Sequence, residues 1–113
     1  MPRPAPKAPQ VVSLSAVAVL DAVARRIRHG FDIMDATRLP SGTVYPILGR
    51  LERDGYVRSR WEAHTTASRE KRPPRRYYEV TAAGAKALAR SIEHYRTLGG
   101  RPALMARRAP LPG

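Results

Sequence analysis

The spacing of apolar residues changes character at Gly55, and that change confines the chain to a few architectures. Before it, Ala16, Val17, Leu20, Val23, Ala24 and Ile27 recur at three- and four-residue intervals from Ser13 onward, the mark of a helix with one apolar face. Arg25, Arg26, Arg28 and His29 crowd the expected last turn, where cations complement the helix dipole, and Gly30 is placed to end it. A short second helix is predicted from Phe31 to Arg38. Leu39-Pro40-Ser41-Gly42 closes it, because the residue before a proline is pushed out of helical geometry. A third helix follows, from about Ser41–Thr43 to Asp54. Ser41 and Thr43 both suit a cap, and Pro46 favours the later start, in which its missing N–H falls in the first turn.

After Gly55 the pattern becomes that of strands. Tyr56–Glu62 and Arg76–Thr81 are rich in aromatic and β-branched residues. The polar and basic stretch between them ends in Pro73-Pro74 and is long for a hairpin loop, which usually runs about two to five residues. Loops of that length tend to be functional or disordered. Thr81-Ala82-Ala83-Gly84 then caps a last helix with a spine of Ala85, Leu88, Ile92 and Tyr95, stopped by Gly99-Gly100. Three helices, a two-stranded wing and a further helix make a mainly α chain with a two-stranded β-wing, a winged helix-turn-helix. The expected organisation is a flexible basic, proline-rich arm over 1–12, the winged helix-turn-helix over 13–81, a dimerisation helix over 82–99 and a disordered tail over 100–113. No internal repeat is visible.

The chain has 113 residues, room for one domain. A domain of that size buries only about 60–70% of its unfolded surface, so burial against a partner would add to its stability. The absence of cysteine removes disulfides, thiolate nucleophiles and Cys-type zinc sites, and suits a reducing compartment. No apolar run approaches the roughly 20 residues of a membrane span, and Met-Pro-Arg-Pro-Ala-Pro does not resemble a signal peptide; a cytoplasmic location is expected, with no membrane contact. Twenty-one Lys and Arg against nine Asp and Glu give a net charge of +12, and eighteen of the basic residues are Arg. The planar guanidinium fork matches phosphates and guanine edges, so this balance points to a polyanion, most often nucleic acid.

His29-Gly30-Phe31-Asp32-Ile33, Leu39-Pro40-Ser41-Gly42-Thr43-Val44-Tyr45-Pro46-Ile47-Leu48, Arg50-Leu51-Glu52 and Gly55-Tyr56-Val57 stand in an order and spacing that strongly resembles the PadR family of bacterial transcriptional regulators. Ser59-Arg60-Trp61-Glu62, Arg75-Arg76-Tyr77-Tyr78 and Thr81-Ala82-Ala83-Gly84 continue the likeness, which spans roughly residues 14–98. The resemblance implies a cytoplasmic homodimer that binds a pseudo-palindromic double-stranded DNA operator, usually as a repressor relieved by a small-molecule effector. One helix plus a tail at the C-terminus resembles the short-tailed branch of the family.

On a helical wheel the third helix carries Val44, Ile47, Leu48 and Leu51 on one face and Tyr45, Pro46, Gly49, Arg50 and Arg53 on the opposite arc. The apolar face must pack on the first two helices, so the other arc points outward, where a recognition helix meets the major groove. Gly49 either permits close approach to DNA or is a tolerated surface glycine. Arg50 either contacts a base or phosphate or pairs with Asp54 one turn on. Tyr45 either packs its ring at the helix start or, as the resemblance favours, points its hydroxyl at DNA. Ser41, Gly42 and Thr43 supply free N–H and hydroxyl groups at a helix N-terminus, a seat for phosphate or simple capping.

The wing tip carries Arg69, Lys71, Arg72, Arg75 and Arg76. Such a run is either a solvated loop or, beside a recognition helix, a contact to the DNA backbone or minor groove. Trp61 and Tyr78 are expected to pack the hairpin onto the helices. Val11, Leu14, Leu88, Ile92 and Tyr95 are the candidate dimer contacts, in segments expected to cross between subunits. His29, His64 and His94 lack paired metal spacing, Asp32 and Asp35 read as surface charges, and neither a phosphate-cradling glycine loop nor a nucleophile elbow is present. No metal, no cofactor and no enzymatic activity are expected. Two other readings stand beside a sequence-specific regulator: a non-specific nucleic-acid-binding winged helix of nucleoid or RNA-binding type, and an interaction module for an acidic protein.

Overall fold

Helix α1, Leu14–Ala24, opens the fold under a Ser13 cap, whose hydroxyl accepts the Ala16 N–H at 3.1 Å. The computed structural model describes residues 10–99, so most of the expected arm and the tail from 100 onward lie outside the described residues. One apolar face was expected on α1, yet Ala16, Val17, Ala18, Val19, Leu20, Ala22 and Val23 are all buried. The helix is apolar nearly all round because other elements enclose it. It touches α2 (Gly30–Thr37), α3 (Ser41–Arg53), strand β2 (Arg76–Val80) and α5 (Ala82–Gly99). Ala24, placed on the apolar face by spacing, is exposed.

The first helix also ends earlier than its periodicity suggests. Arg26 takes the left-handed conformation (φ 69°), the Ile27 N–H reaches back to the Ala22 carbonyl at 3.0 Å, and the Arg26 N–H to Val23 at 2.9 Å. This is a Schellman closure, in which the residue after the left-handed one packs inward; Ile27 does so against the core. Gly30 therefore starts α2 and does not terminate α1.

Pro40 is the N-cap of α3, with its carbonyl accepting from Thr43 and Val44 at 2.9 and 3.0 Å. The helix thus takes its earlier start, and neither Ser41 nor Thr43 caps it. Pro46 consequently sits inside the helix and removes one ladder bond on an exposed side. At the other end Gly55 (φ +79°) makes the left-handed turn expected of it, with Tyr56 N–H bonded to Leu51 O at 2.8 Å and Gly55 N–H to Glu52 O at 3.1 Å.

Strand β1, Val57–Trp61, pairs antiparallel with β2, with Val57 opposite Val80 and Trp61 opposite Arg76. The long connection between them is not all loop. His64–Arg69 form a short helix, α4. The core gathers Val19, Leu20, Val23, Ile33, Val44, Leu48, Leu51, Tyr56, Val57, Tyr78 and Ala87. Thr81 caps α5 as expected, its hydroxyl accepting the Gly84 N–H at 3.0 Å. The inward side of α5 carries Gly84, Ala87 and Ser91, however, and Ala85, assigned to the spine by spacing, is exposed.

Candidate nucleic-acid interface

At about 100° per residue, α3 divides as its sequence requires. Val44, Leu48 and Leu51 are fully buried and Ile47 packs against the core, which leaves Ser41, Gly42, Tyr45, Pro46, Gly49, Arg50 and Arg53 exposed and Thr43 half-buried. The middle of the outward arc has low relief, formed by Gly42, Pro46 and Gly49, with the longer side chains of Tyr45 and Arg50 on its two flanks. A Cβ placed on Gly42 or Gly49 would meet no protein atom within 4 Å, so nothing inside the chain requires glycine there. Arg50 makes no ion pair with Asp54 among the described residues, and Arg53 is likewise without an acidic partner there.

The wing is stiffened from within. Glu62 is buried just beyond the outer end of β1, and Arg72 grips it with its two terminal guanidinium nitrogens, one bond at 2.9 Å and the other shorter. Tyr77 donates its hydroxyl to the same carboxylate at 3.1 Å. Lys71 in the left-handed conformation (φ 57°) turns the chain after α4 and brings Arg72 back to this position. The expectation that Arg72 faces phosphate is therefore corrected: its fork is already filled by Glu62, and its side chain is only 19% exposed. Arg69, Lys71 and Arg75 remain exposed, with side chains free of carboxylate partners among the described residues. Arg76 is exposed but tethered, donating to Ser59 Oγ at 2.9 Å and to Glu52 at 3.2 Å. The Ser59 hydroxyl in turn donates to Glu52 at 2.6 Å, which joins both strands of the wing to α3.

The Arg72 fork, then the Tyr77 hydroxyl and the Arg75 backbone N–H, lower the Glu62 pKa from 4.5 to about 2. A carboxylate whose folded pKa is depressed gives stability that is complete above its unfolded pKa and is lost as the pH falls through the folded one. The wing connection should therefore hold above about pH 4.5 and loosen between there and about pH 2. Backbone NMR is expected to show α4 losing its helical shifts across that interval before α1 and α3 do; a Glu62→Gln chain should show the loosened spectrum already at neutral pH.

Trp61 was expected in the core with Tyr78. Tyr78 is buried, but Trp61 is 65% exposed, because it faces a half-open cavity and not the packed core. The Arg76 guanidinium lies over the Trp61 ring at 5.7 Å. Tyr45, Arg75 and Arg76 meet here across this cavity, of about 560 Å³, between the start of α2, the first half of α3 and the wing. The Tyr45 ring lies against Gly30, where any side chain would overlap it. Phe31, 78% exposed on α2, also lines this cavity. Arg50 stands apart, in a groove shared with residues 10–13 and Asp54. The structure thus gathers Tyr45, Arg75 and Arg76 but not Arg50 with them.

The candidate dimer residues are only partly free. Residues 10–12, expected to belong to a flexible arm, are tied to the domain: the Gln10 N–H donates to the Tyr56 hydroxyl at 3.1 Å, the Val12 N–H donates to Ser91 Oγ of α5 at 3.0 Å, and the Tyr95 hydroxyl of α5 donates to the Val12 carbonyl at 2.6 Å. Leu88 packs on the core of its own chain. The N-terminal segment and α5 therefore meet within one subunit. Val11 and Ile92 are half-buried, and Leu14 and Leu98 are exposed.

Phe31, the wing helix and the Glu62–Arg72 clamp were not anticipated. The one signal for the clamp was a Glu directly after the first strand of a basic hairpin; α4 has a single buried apolar residue, Ala67, and so no periodicity to read. Among the described residues no group of three or more acidic, His or Cys side chains could hold a metal, and no helix is long and apolar enough to cross a membrane.

The fold has counterparts among solved structures. A PadR-like transcription factor from Bacteroides fragilis is 22% identical, with 83% of this chain and 88% of that one covered at a TM-score of 0.63. A PadR family transcription regulator from hypervirulent Clostridium difficile R20291 is 18% identical, with 87% and 100% covered at 0.64. At those identities the likeness speaks for the winged-helix fold alone. A protein from Streptococcus mutans UA159 is 26% identical, with 79% and 83% covered at 0.63. No curated protein matches the chain. Residues 19–90, from the middle of α1 to the middle of α5, match the transcriptional regulator PadR-like family. That span takes in the helix-turn-helix and the whole wing: the chain belongs to the PadR-like family, whose members are transcriptional regulators and not enzymes.

Proposed function

We propose that this regulator binds a specific double-stranded DNA operator as a homodimer and acts as a repressor released by a small ligand. The observation that carries the DNA reading is the outward arc of α3. It presents a low, glycine-containing strip flanked by Tyr45 and Arg50, with Arg53 exposed beside it, on a chain of net charge +12. Groove readout needs a shaped helix face as well as charge. Ser41, Gly42 and Thr43 at the start of α3 would seat a backbone phosphate, and Arg69, Lys71 and Arg75 on the wing would follow the backbone beyond it. Arg76 would act near the DNA mainly by holding the wing against α3. Leu14, Ile92 and Leu98, with the outer side of α5 over residues 82–99, would form the two-fold contact, which palindrome readers require.

Competition binding with the promoter of its own operon against random duplex DNA and RNA tests this reading, with light scattering of the complexes. The expected result is preference for the promoter duplex and a mass of two chains per site. Equal affinity for all three nucleic acids would replace specific regulation by non-specific binding, and a one-chain complex would remove the dimer.

A further inference from the structure

The cavity beside the recognition helix is built for more than duplex DNA can use. Its volume of about 560 Å³ lies in the range of small-molecule sites. Its walls carry three exposed aromatic side chains: Phe31 at 78%, Trp61 at 65% and Tyr45 at 47%. Exposed aromatic surface of this kind on a small basic domain suits a planar ring that stacks. The polar groups on the same walls are of opposite sign. Asp32 is an exposed carboxylate and an acceptor only, whereas Arg75 offers a guanidinium with no carboxylate partner among the described residues. Arg76 is held in place by Ser59 and Glu52 and backs the Trp61 ring.

A simple aromatic acid would satisfy Arg75 and leave Asp32 facing nothing. A ligand that fits all three features has a flat ring to stack, an N–H edge for Asp32 and an anion for Arg75. That is the chemistry of a nucleotide. Stacked bases of a duplex cannot enter a half-enclosed cavity without leaving the helix, so the occupant is a free nucleotide or an unpaired base of a single strand.

We infer that this cavity is a nucleotide-binding site, in which the base stacks against Phe31, Tyr45 and Trp61, its amino edge bonds to Asp32 and its phosphate to Arg75. The inference concerns the protein free of duplex DNA: Tyr45 and Arg75 also belong to the proposed operator contact, so nucleotide and duplex would compete for them.

Trp61 is the single tryptophan of the chain, so its emission reports on this cavity alone. The experiment titrates the full chain with AMP, adenosine, inorganic phosphate and a single-stranded deoxyadenosine hexamer, and follows that emission. AMP is expected to give a saturable change at sub-millimolar concentration, with adenosine about tenfold weaker because it lacks the charge-assisted contact to Arg75. Arg75→Ala should weaken AMP about tenfold and leave adenosine unchanged. Asp32→Asn should weaken AMP and adenosine alike. Both positions are exposed, so these chains should keep the parent's circular dichroism spectrum. A hexamer that behaves like AMP and shares its dependence on Arg75 identifies unpaired strands as a source; a silent hexamer restricts the site to free nucleotides. The inference is overturned if AMP leaves the emission unchanged to about 10 mM, where a millimolar site would be largely filled. It is overturned equally if inorganic phosphate alone reproduces the AMP response, or if both variants bind AMP as the parent does.

Discussion

Gly84→Ala is expected to destabilise the fold by about 1–3 kcal/mol, the range for overpacking a filled site. Helix propensity gives the opposite sign, since alanine within a helix is favoured over glycine by about 0.5–1 kcal/mol. Packing wins here because a Cβ on Gly84 would fall on the backbone carbonyl of Tyr56, with the Val80 side chain close behind it. That carbonyl cannot yield, because it accepts the Thr81 N–H at 3.0 Å. The start of α5, the end of α3 and the first wing strand are thereby joined at one point, which the Thr81 hydroxyl reinforces by donating to Gly55 O at 2.6 Å. Gly49→Ala is the matched control. It also places alanine in a helix but meets no atom, so the chain should gain about 0.5–1 kcal/mol. Urea denaturation of the two variants should move the midpoint in opposite directions. If Gly84→Ala raises it, α5 does not dock as closely as the structure has it. Gly49→Ala should meanwhile lose affinity for duplex DNA, since its methyl group rises in the middle of the proposed contact strip.

The second large effect separates the two basic elements. Arg50→Ala is expected to cost about 1–3 kcal/mol of binding on the operator and little on scrambled duplex, if Arg50 reads a base. Neutralising Arg69, Lys71 and Arg75 together should weaken binding to both duplexes alike. It should also flatten the plot of log affinity against log salt by up to about 0.9 for each lost phosphate contact. Arg72 is left out of this set because its removal would leave Glu62 buried without its cation. Both variants should fold normally, since neither alters Val44, Leu48 or Leu51. Salt titrations on operator and scrambled duplex decide the matter. Equal losses for Arg50→Ala on the two duplexes would make Arg50 a backbone anchor and pass the specific contact to Tyr45. An unchanged salt slope for the wing variant would leave its charge as a solvated surface.

The placement of the elements was legible wherever a local rule acted without competition. Gly55 turned as glycine does after a helix, Thr81 capped α5, and the apolar positions 44, 47, 48 and 51 faced inward because α3 packs on one side only. Local rules failed where two segments distant in sequence compete for one position. Arg26 took the left-handed turn that spacing assigned to Gly30, because only an earlier turn brings Ile27 onto the core. Trp61 was expected to pack on the helices with Tyr78, yet it faces a half-open cavity between the wing and α2. Arg72 carries the same charge as its neighbours, yet the left-handed Lys71 turns it inward to Glu62 while Arg69 and Arg75 stay in solvent.

The sequence by itself determined the winged-helix order, the family and the outward arc of α3. Each follows from periodicity, turn chemistry or a motif that a short stretch of chain carries whole. Only the tertiary structure decided which arginines are free to meet a polyanion, that Val12 binds α5 of its own chain, and that Phe31, Tyr45 and Trp61 share one cavity. Those outcomes depend on where carboxylates and rings from α2, α3 and the wing arrive in space, and no spacing within a single element encodes that distance.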